Sequence, residues 1–185
     1  MGEARIGVFK KRGKKLAYSS RVIDVYTERI LTPGGREVDW VLAEHGGAAA
    51  VVAVTENDEI VLVKQYRNTA DEYVWEIPAG GLSEGEEPIH CAARELEEET
   101  GFKAGHLTYM FAPYSSIGFC TERIHYYLAT DLQKGALNLD PDEYLIADTF
   151  PLETVLQMIN SGEIVDGKTI SGVFGYLIMH ERGLI

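Results

Sequence analysis

Alternating apolar and polar positions dominate about the first 45 residues, which is the period of half-buried β-strands. Residues 21–30 (RVIDVYTERI) and 36–45 (REVDWVLAEH) both show this alternation, and the TPGG between them is a strong turn signal. The two segments therefore predict an antiparallel hairpin. Longer apolar runs follow at residues 48–54 and 59–67, and Asn57-Asp58 between them predicts a second, more buried hairpin.

Helical patterns and further strands follow along the rest of the chain. Pro88 suits the first turn of a helix and Gly101 suits its end, so a helix is predicted between them. Two more helices are predicted near the C-terminus, the first of them ending at Gly162. Further strands are predicted at residues 72–81, 106–114 and 122–130.

The order of these elements predicts two domains. A mixed α/β domain is expected at residues 47–185, preceded by a small antiparallel β-domain at residues 1–46. A chain of 185 residues is long enough for one main domain with a core and a small appendage.

Composition and charge narrow the range of functions. The chain has 29 acidic and 17 basic residues, a formal net charge of -12, so a domain-wide surface for nucleic acid is not expected. The longest apolar stretch, residues 46–54, is too short to span a membrane. Cys91 and Cys120 alone make neither a disulfide framework nor a cysteine-based zinc site. We therefore expect a cytoplasmic protein without a membrane partner.

The predicted helix at residues 88–100 is unusually acidic, with four glutamates at positions 95 and 97–99. A solvated acidic face is the usual explanation of such a run. Here, however, like charges at i,i+4 cost about 0.2–0.5 kcal/mol per pair, and acids near a helix C-terminus cost roughly 0.3–1 kcal/mol each. A bound divalent cation reverses both penalties, so the pattern favours a metal site. Apolar and small residues on an adjacent arc are expected to pack on a sheet: Ile89, Ala92, Ala93, Leu96 and Thr100.

The acidic run belongs to a longer spacing pattern that includes Gly80, Glu86, Arg94-Glu95-Leu96, Glu98-Glu99 and Gly101-Phe102. The pattern resembles the complete Nudix box. Seven strict positions at roughly 5–10% background each give a chance match on the order of one in 10⁷ per window. The resemblance implies a Nudix α/β/α sandwich and the hydrolysis of a nucleoside diphosphate linked to another moiety, with Mg²⁺ or Mn²⁺ held by the box helix.

The resemblance also implies roles for individual residues of the box. Glu95 and Glu99 are expected to be the principal metal ligands, and Glu98 a further or water-mediated ligand. The main-chain carbonyl of Ala79 is expected to join them, and Arg94 to orient the glutamates.

Segments outside the box are similar to the subfamily that cleaves ADP-ribose and related nucleoside diphosphate sugars. These are VKQYR, WEIPAGG, REV at residues 36–38 and GEIVDGKT at residues 162–169. The resemblance thus spans residues 36–176. It implies release of a nucleoside monophosphate and a sugar phosphate by a domain-swapped homodimer.

The subfamily resemblance implies five further site residues. Glu122, on the loop after the box, is expected to be the general base, and Arg67 to bind substrate phosphate. Glu76 is expected to assist with metal or ribose. Arg36 and Trp40 of the β-domain are expected to help hold the base in the partner subunit, with strand packing as the alternative for Trp40. A surface glutamate at position 122 and a surface ion pair between Arg67 and Glu76 are the simpler alternatives.

Some features are compatible with other substrates, and a protein of this kind that binds without catalysis is also an alternative. ADP-ribose pyrophosphatases commonly carry a proline 16 residues beyond the final box glycine, where this chain has Ile117. GDP-mannose and UDP-glucose are therefore alternative substrates. A Nudix-derived module that senses such metabolites without cleaving them is an alternative of a different class. Residues 162–169 formally match a P-loop, but a helix precedes them and only 16 residues follow, so we expect a helix–loop–helix connection instead.

Overall fold

The structure is a computed structural model that describes residues 7–139 and 144–185. The chain forms two compact units. The first comprises the described residues up to Gly46 together with Tyr114–Arg123, and the second comprises Gly47–Pro113 and Ile124–Ile185. The second unit contains mixed sheets and helices and the first contains antiparallel strands, which confirms the predicted α/β fold class.

The first unit contains a three-stranded antiparallel sheet in the order β1-β2-β3, made of Lys10–Ser19, Ile23–Leu31 and Glu37–His45. Strands β2 and β3 pair from Leu31 opposite Glu37 to Ile23 opposite His45, which confirms the first predicted hairpin. Its turn closes through Thr32, whose N–H donates to the carbonyl of Arg36 at 2.8 Å. Strand β1 was not singled out from the sequence.

Strand β1 is an edge of this sheet in the described part of the chain, and every residue of it is exposed. It carries five basic residues: Lys10, Lys11, Arg12, Lys14 and Lys15. Its pairing with β2 is irregular at two points, between Lys11 and Gly13 and between Leu16 and Tyr18. Both points are β-bulges or similar irregularities, which increase the local twist of a strand.

The strands of the second unit form two larger sheets and one two-residue pair. One sheet has the order β7-β4-β10-β9, in which β4 and β10 are parallel, and the other has the order β12-β5-β6. A short ladder joins β8 to β11. The strands in chain order are β4 Ala48–Ala53, β5 Glu59–Arg67, β6 Glu72–Glu76, β7 Ala79–Gly81, β8 Phe102–Lys103, β9 His106–Phe111, β10 Ile124–Thr130, β11 Gln133–Lys134 and β12 Leu145–Pro151.

The predicted second hairpin is wrong as a pairing of strands. A tight turn does join β4 to β5, with Asp58 at a positive φ of 59°, and Val54 and Ile60 form one antiparallel bridge. Beyond that bridge the strands enter different sheets, β4 beside β10 and β5 between β12 and β6. An apolar run shows that a strand is buried but does not identify its hydrogen-bonding partner, and two of these partners, β10 and β12, lie far along the chain.

The three helices of the described residues lie close to where the sequence predicts them. They are α1 Pro88–Thr100, α2 Leu152–Ser161 and α3 Gly167–Glu181. Gly101 and Gly162 end the first two helices in the left-handed conformation, at φ values of 70° and 80°. A residue with a Cβ would be strained there, so glycine ends both helices sharply.

Apolar layers lie on both faces of β4. Val51 and Ala53 pack in one cluster with Leu96 of α1, whereas Ala50 and Val52 pack in another that contains Val155 of α2 and Val173 of α3. Adjacent residues of a strand point to opposite faces, so helices cover the sheet on both sides, as the α/β/α arrangement requires. No helix among the described residues is long and apolar enough to cross a membrane.

Candidate active site

The buried face of α1 agrees only in part with the one predicted from the spacing of its apolar residues, since Ala92 and Leu96 are buried as predicted. Ile89 is 42% exposed and Ala93 is also exposed. The helix instead buries Glu95 and Glu99, together with Cys91, Ala92 and Leu96. The prediction placed the packing face about one position off because it assigned burial to small and apolar side chains alone. Two carboxylates therefore lie inside the unit rather than on a solvated surface.

The glycines of β7 allow these carboxylates to approach its main chain. A Cβ placed on Gly80 would lie 2.0 Å from Oε1 of Glu95 and 2.1 Å from its Cδ, so the carboxylate can keep this position only beside a glycine. The N–H of Ala79 donates to Oε2 of Glu99 at 3.0 Å. The strand end at residues 79–80 and the acidic face of α1 thus form one site.

Arg94 lies at the centre of these glutamates. Its Nε and Nη2 donate to the two oxygens of Glu86, each at 3.0 Å. Its Nη1 donates to Glu95 at 2.6 Å and to Glu98 at 3.0 Å, the latter being the expected i,i+4 pair. We refer to Glu86, Arg94, Glu95, Glu98 and Glu99 together as the acidic cluster. It contains one positive and four negative side chains.

These contacts shift the pKa values of several groups. Hydrogen bonds from Arg94 lower the pKa of Glu86 to about 2, and hydrogen bonds to Glu86 raise the pKa of Arg94. Burial, followed by the charges of Glu95 and Glu86, raises the pKa of the Cys91 thiol to about 12. The thiol contacts the carbonyls of Gly80 and Gly81. Cys91 is therefore a protonated packing residue rather than a nucleophile.

The donor set of the acidic cluster suits a hard divalent cation. Carboxylates of Glu95, Glu98 and Glu99 and the carbonyl of Ala79 are all oxygen donors, which Mg²⁺ and Mn²⁺ prefer. The excess of negative charge also favours a divalent cation. The close approach of Gly80 to Glu95 brings main-chain and carboxylate oxygens together at the same place. Among residues 7–139 and 144–185, however, no three His, Cys, Asp or Glu side chains stand preassembled as a ligand set.

A second charged cluster lies where β5, β6 and α3 meet. Arg67 donates through Nε and Nη2 to the two oxygens of Glu76, both at 2.7 Å. The ammonium of Lys168 contacts Glu76 as well and donates to Asp166 at 2.9 Å. We refer to these four residues as the balanced cluster, because it contains two positive and two negative side chains. Glu76 is only 2% exposed, so the pair with Arg67 is not the surface ion pair weighed from the sequence.

Thr169 connects the balanced cluster to the segment between β6 and β7, which leads to the acidic cluster. Its hydroxyl donates to Asp166 at 2.6 Å and accepts the N–H of Ile77 at 2.9 Å. Ile77 lies two residues before Ala79. Beside the cluster is an open cleft of about 400 Å³, lined by Arg67, Thr69, Ala70, Val74, Glu76, Val165, Asp166, Gly167 and Lys168.

Glu122 lies in the first unit, in the loop that follows β9. Its carboxylate is 3.7 Å from Nδ1 of His45 and is 25% exposed. Thr121 fixes the neighbouring main chain, because its N–H donates to the carbonyl of Ala43 and its hydroxyl accepts the N–H of His45. Glu122 is thus a partly exposed glutamate beside His45, and its role as general base stays a prediction.

Arg36 and Trp40 also lie in the first unit. Arg36 is exposed, and its main chain closes the turn between β2 and β3. Trp40 lies on β3, is 51% exposed and stacks on Phe9 with ring centroids 5.7 Å apart. Trp40 thus packs on a neighbouring ring and leaves half of its surface exposed, and its role in holding the base stays a prediction.

Sequence reasoning missed three polar residues of these clusters: Asp166, Lys168 and Thr169. They belong to the segment that formally matches a P-loop. In the structure Gly162 ends α2 and Asp166 accepts the N–H of Thr169 as the N-cap of α3, which confirms the predicted helix–loop–helix connection. The lysine of the motif contacts carboxylates, and its threonine contacts a carboxylate and the N–H of Ile77 between β6 and β7, so neither forms a phosphate cradle. His45 was missed because nothing in its neighbourhood of the sequence points to Glu122.

Comparisons with known proteins agree with this architecture. The NUDIX domain matches residues 44–170. The chain is 41% identical over 162 residues to an ADP-ribose pyrophosphatase of Bacillus subtilis (strain 168), covering 86% of this chain and 88% of that protein. It is 38% identical over 166 residues to a methanol dehydrogenase activator of Bacillus methanolicus, covering 89% of each. A crystal structure of an ADP compounds hydrolase has the same fold, with a TM-score of 0.85, 20% identity, and coverage of 99% of this chain and 100% of that chain.

Proposed function

Because this chain belongs to the NUDIX family of hydrolases, we propose that it hydrolyses the pyrophosphate bond of ADP-ribose or a related nucleoside diphosphate sugar. The products are a nucleoside monophosphate and a sugar phosphate. The observation that carries the proposal is the burial of Glu95 and Glu99 against the main chain of Ala79 and Gly80. The similarity to an ADP-ribose pyrophosphatase over most of both chains supports the choice of substrate.

The proposal includes a divalent cation, Mg²⁺ or Mn²⁺, held by Glu95, Glu98 and Glu99 with the carbonyl of Ala79. Such a cation, when bound, neutralises the diphosphate and lowers the pKa of a bound water. Arg94 is proposed to hold the carboxylates of Glu95 and Glu98 in position, since it contacts both.

The remaining predicted residues are assigned to proton transfer and substrate binding. Glu122 is proposed to accept the proton of the attacking water, and His45 lies beside its carboxylate, with Nδ1 at 3.7 Å. Arg67 is proposed to bind the diphosphate, because its fork suits phosphate oxygens and it lines the cleft. Glu76 orients Arg67 through two hydrogen bonds rather than serving as a metal ligand.

A homodimer formed through the first unit is part of the proposal, with Arg36 and Trp40 reaching the nucleobase site of the partner. The first unit exposes an unusual number of large apolar side chains, among them Val8, Phe9, Leu16, Tyr18, Trp40 and Val41. Exposed apolar area of this kind marks a protein–protein surface. A cytoplasmic location is proposed with it, since Cys91 and Cys120 are both free thiols.

The experiment that tests the proposal is a substrate panel with the purified chain and Mg²⁺, scored by release of AMP, GMP or UMP. The panel contains ADP-ribose, GDP-mannose, UDP-glucose, NADH and nucleoside triphosphates, and Glu99→Gln serves as the inactive control. Rapid cleavage of ADP-ribose that is lost in the variant supports the proposal. Preference for another sugar nucleotide changes the assigned substrate but keeps the reaction. Ile117, which is 79% exposed, is then the first residue to substitute. Tight binding without turnover of any compound contradicts the proposal and favours the metabolite sensor.

A further inference from the structure

Lys168 occupies an unusual place for a lysine. It is the second residue of α3, and only 15% of its side chain is exposed. Its ammonium contacts the carboxylates of both Glu76 and Asp166. A lysine is seldom buried unless it is paired, and here both partners are also sheltered from solvent.

The charges of the balanced cluster depend on one another. Glu76 is 2% exposed, and the burial of a carboxylate costs free energy unless charged donors contact it. Arg67 supplies two hydrogen bonds and Lys168 supplies the third contact. Within residues 7–139 and 144–185, loss of Lys168 leaves Glu76 with Arg67 as its ion-pair partner and Asp166 with Thr169 as the hydrogen-bond donor to its side chain.

Arg67 differs from the other three residues because it lines the cleft with 44% of its side chain exposed. Only Nε and Nη2 are engaged by Glu76, although a guanidinium has five N–H donors. The bidentate contact with Glu76 fixes the plane of the fork, so the direction of the remaining donors depends on where the carboxylate of Glu76 lies. Lys168 bonds to Oε2 of Glu76, the same oxygen that accepts from Nη2 of Arg67.

We propose that Lys168 is a positioning residue for substrate binding, which acts through Glu76 to hold the guanidinium of Arg67 ready for an anionic diphosphate. This inference rests on the proposed function, because it takes the diphosphate of a nucleoside diphosphate sugar as the ligand of Arg67. Asp166 and Thr169 complete the arrangement by fixing the start of α3 to Ile77.

The test compares Lys168→Met with Lys168→Arg in steady-state hydrolysis of ADP-ribose with saturating Mg²⁺. In Lys168→Met, KM is expected to rise about tenfold or more while kcat changes by less than about threefold, because uniform binding is lost and the cation-dependent chemistry is not. Lys168→Arg is expected to restore most of the affinity. An unchanged KM in a folded Lys168→Met overturns the inference.

Lys103→Met is the matched control. Lys103 also pairs with a glutamate, Glu97, at 3.2 Å, but it does not line the cleft. It is expected to leave KM unchanged. An equal rise of KM in the control overturns the inference, since loss of any lysine would then have the same effect.

A double variant separates positioning from direct contact and guards against misfolding. Glu76→Gln with Lys168→Met removes one charge of each sign from the buried cluster, so its charge balance is kept. If Lys168 acts through Glu76, the rise of KM in the double variant is clearly smaller than the product of the rises in Glu76→Gln and Lys168→Met. Effects that multiply independently overturn the positioning role.

Equilibrium binding distinguishes failure of this inference from failure of the proposed function. Calorimetric titration with the α,β-methylene analogue of ADP-ribose requires no turnover. If the wild-type chain binds the analogue but hydrolyses nothing, the proposed function fails, and a weaker affinity in Lys168→Met still supports the role of Lys168. If the wild-type chain hydrolyses ADP-ribose and Lys168→Met binds the analogue as tightly as wild type, the inference about Lys168 fails alone.

Discussion

The acidic cluster and the balanced cluster each contain an arginine among carboxylates, but their charges differ. Arg94 pairs with three carboxylates, those of Glu86, Glu95 and Glu98. In the balanced cluster Arg67 pairs with Glu76, and Lys168 pairs with both Glu76 and Asp166. Burial is similar, since Glu99 and Glu76 are both 2% exposed. Burial alone therefore does not distinguish a cation site from an internal ion pair.

The difference shows what each cluster is suited to do. A buried group of carboxylates with one arginine has negative charge in excess and gains free energy when a divalent cation enters. A cluster whose charges cancel gains nothing from such a cation, and its contacts fix the direction of a side chain instead. We therefore expect cation dependence to respond to changes in the acidic cluster and substrate affinity to respond to changes in the balanced cluster.

The largest effect is expected from Glu99→Gln in the acidic cluster. Loss of this carboxylate should lower kcat/KM for ADP-ribose by more than about 100-fold, the upper end of what changes outside the direct metal ligands cost. Release of AMP at saturating Mg²⁺ measures it. Glu97→Gln is the control on the same helix, because Glu97 pairs with Lys103 rather than with Arg94. Equal losses in both variants would contradict the distinct role of the acidic cluster.

The next effect tests shape without changing charge. Gly80→Ala places a methyl group where Oε1 of Glu95 lies, 2.0 Å from the new Cβ, so Glu95 must move. We expect the Mg²⁺ concentration for half-maximal activity to rise by about 10- to 100-fold. Gly81→Ala is the matched control, because a Cβ there meets no atom within 4 Å. If the two alanine variants behave alike, the close approach at Gly80 is not what shapes the site.

Arg94→Met removes the positive charge of the acidic cluster, and the repulsion among the remaining carboxylates should lower the stability of the fold. Without added metal, the free energy of unfolding is expected to fall by about 2 kcal/mol, below the value for fully buried pairs because a third of Arg94 is exposed. Millimolar Mg²⁺ should restore part of it, because a cation replaces the lost positive charge. Urea unfolding with and without Mg²⁺ measures both. Arg67→Met is the comparison, and an equal recovery there would remove the distinction between the clusters.

The smallest effect concerns Glu86 and pH. Its pKa in the folded chain is lowered to about 2, below that of the unfolded chain, so its contribution to stability is complete above about pH 4.5. That contribution is lost as the pH falls towards 2. The stability difference between wild type and Glu86→Gln should therefore shrink over this interval, as measured by urea unfolding at several pH values. A difference that stays constant from pH 6 to pH 2 would show that Arg94 does not stabilise the Glu86 carboxylate.

Much of the fold could be predicted because local chemistry determines it. Pro88, Gly101 and Gly162 mark helix ends through backbone preferences that do not depend on distant residues. The hairpin of β2 and β3 follows from alternation and a short turn. The divergence of β4 and β5 could not be predicted, because the choice of partner strand depends on contacts across the whole chain.

The same distinction applies to the candidate site. The acidic residues of α1 were identified because their spacing is regular along one helix. The burial of Glu95 depends on Gly80, and the burial of Glu76 depends on Lys168, 92 residues further along the chain. Gly80 and Glu95 both belong to the box pattern, whereas the pairing of Glu76 with Lys168 has no signature in a single sequence. The resemblance at residues 162–169 located the segment that contributes Lys168 but did not assign its task.

Strand β1 determines how copies of this chain can meet. Its exposed edge is interrupted twice and carries lysines and an arginine, features that oppose the addition of another strand. Two such edges brought together would set like charges side by side on poorly aligned backbones. A second copy is therefore expected to dock through the side-chain faces of this sheet rather than by extending its ladder. The same features are expected to oppose growth of this protein into fibrils.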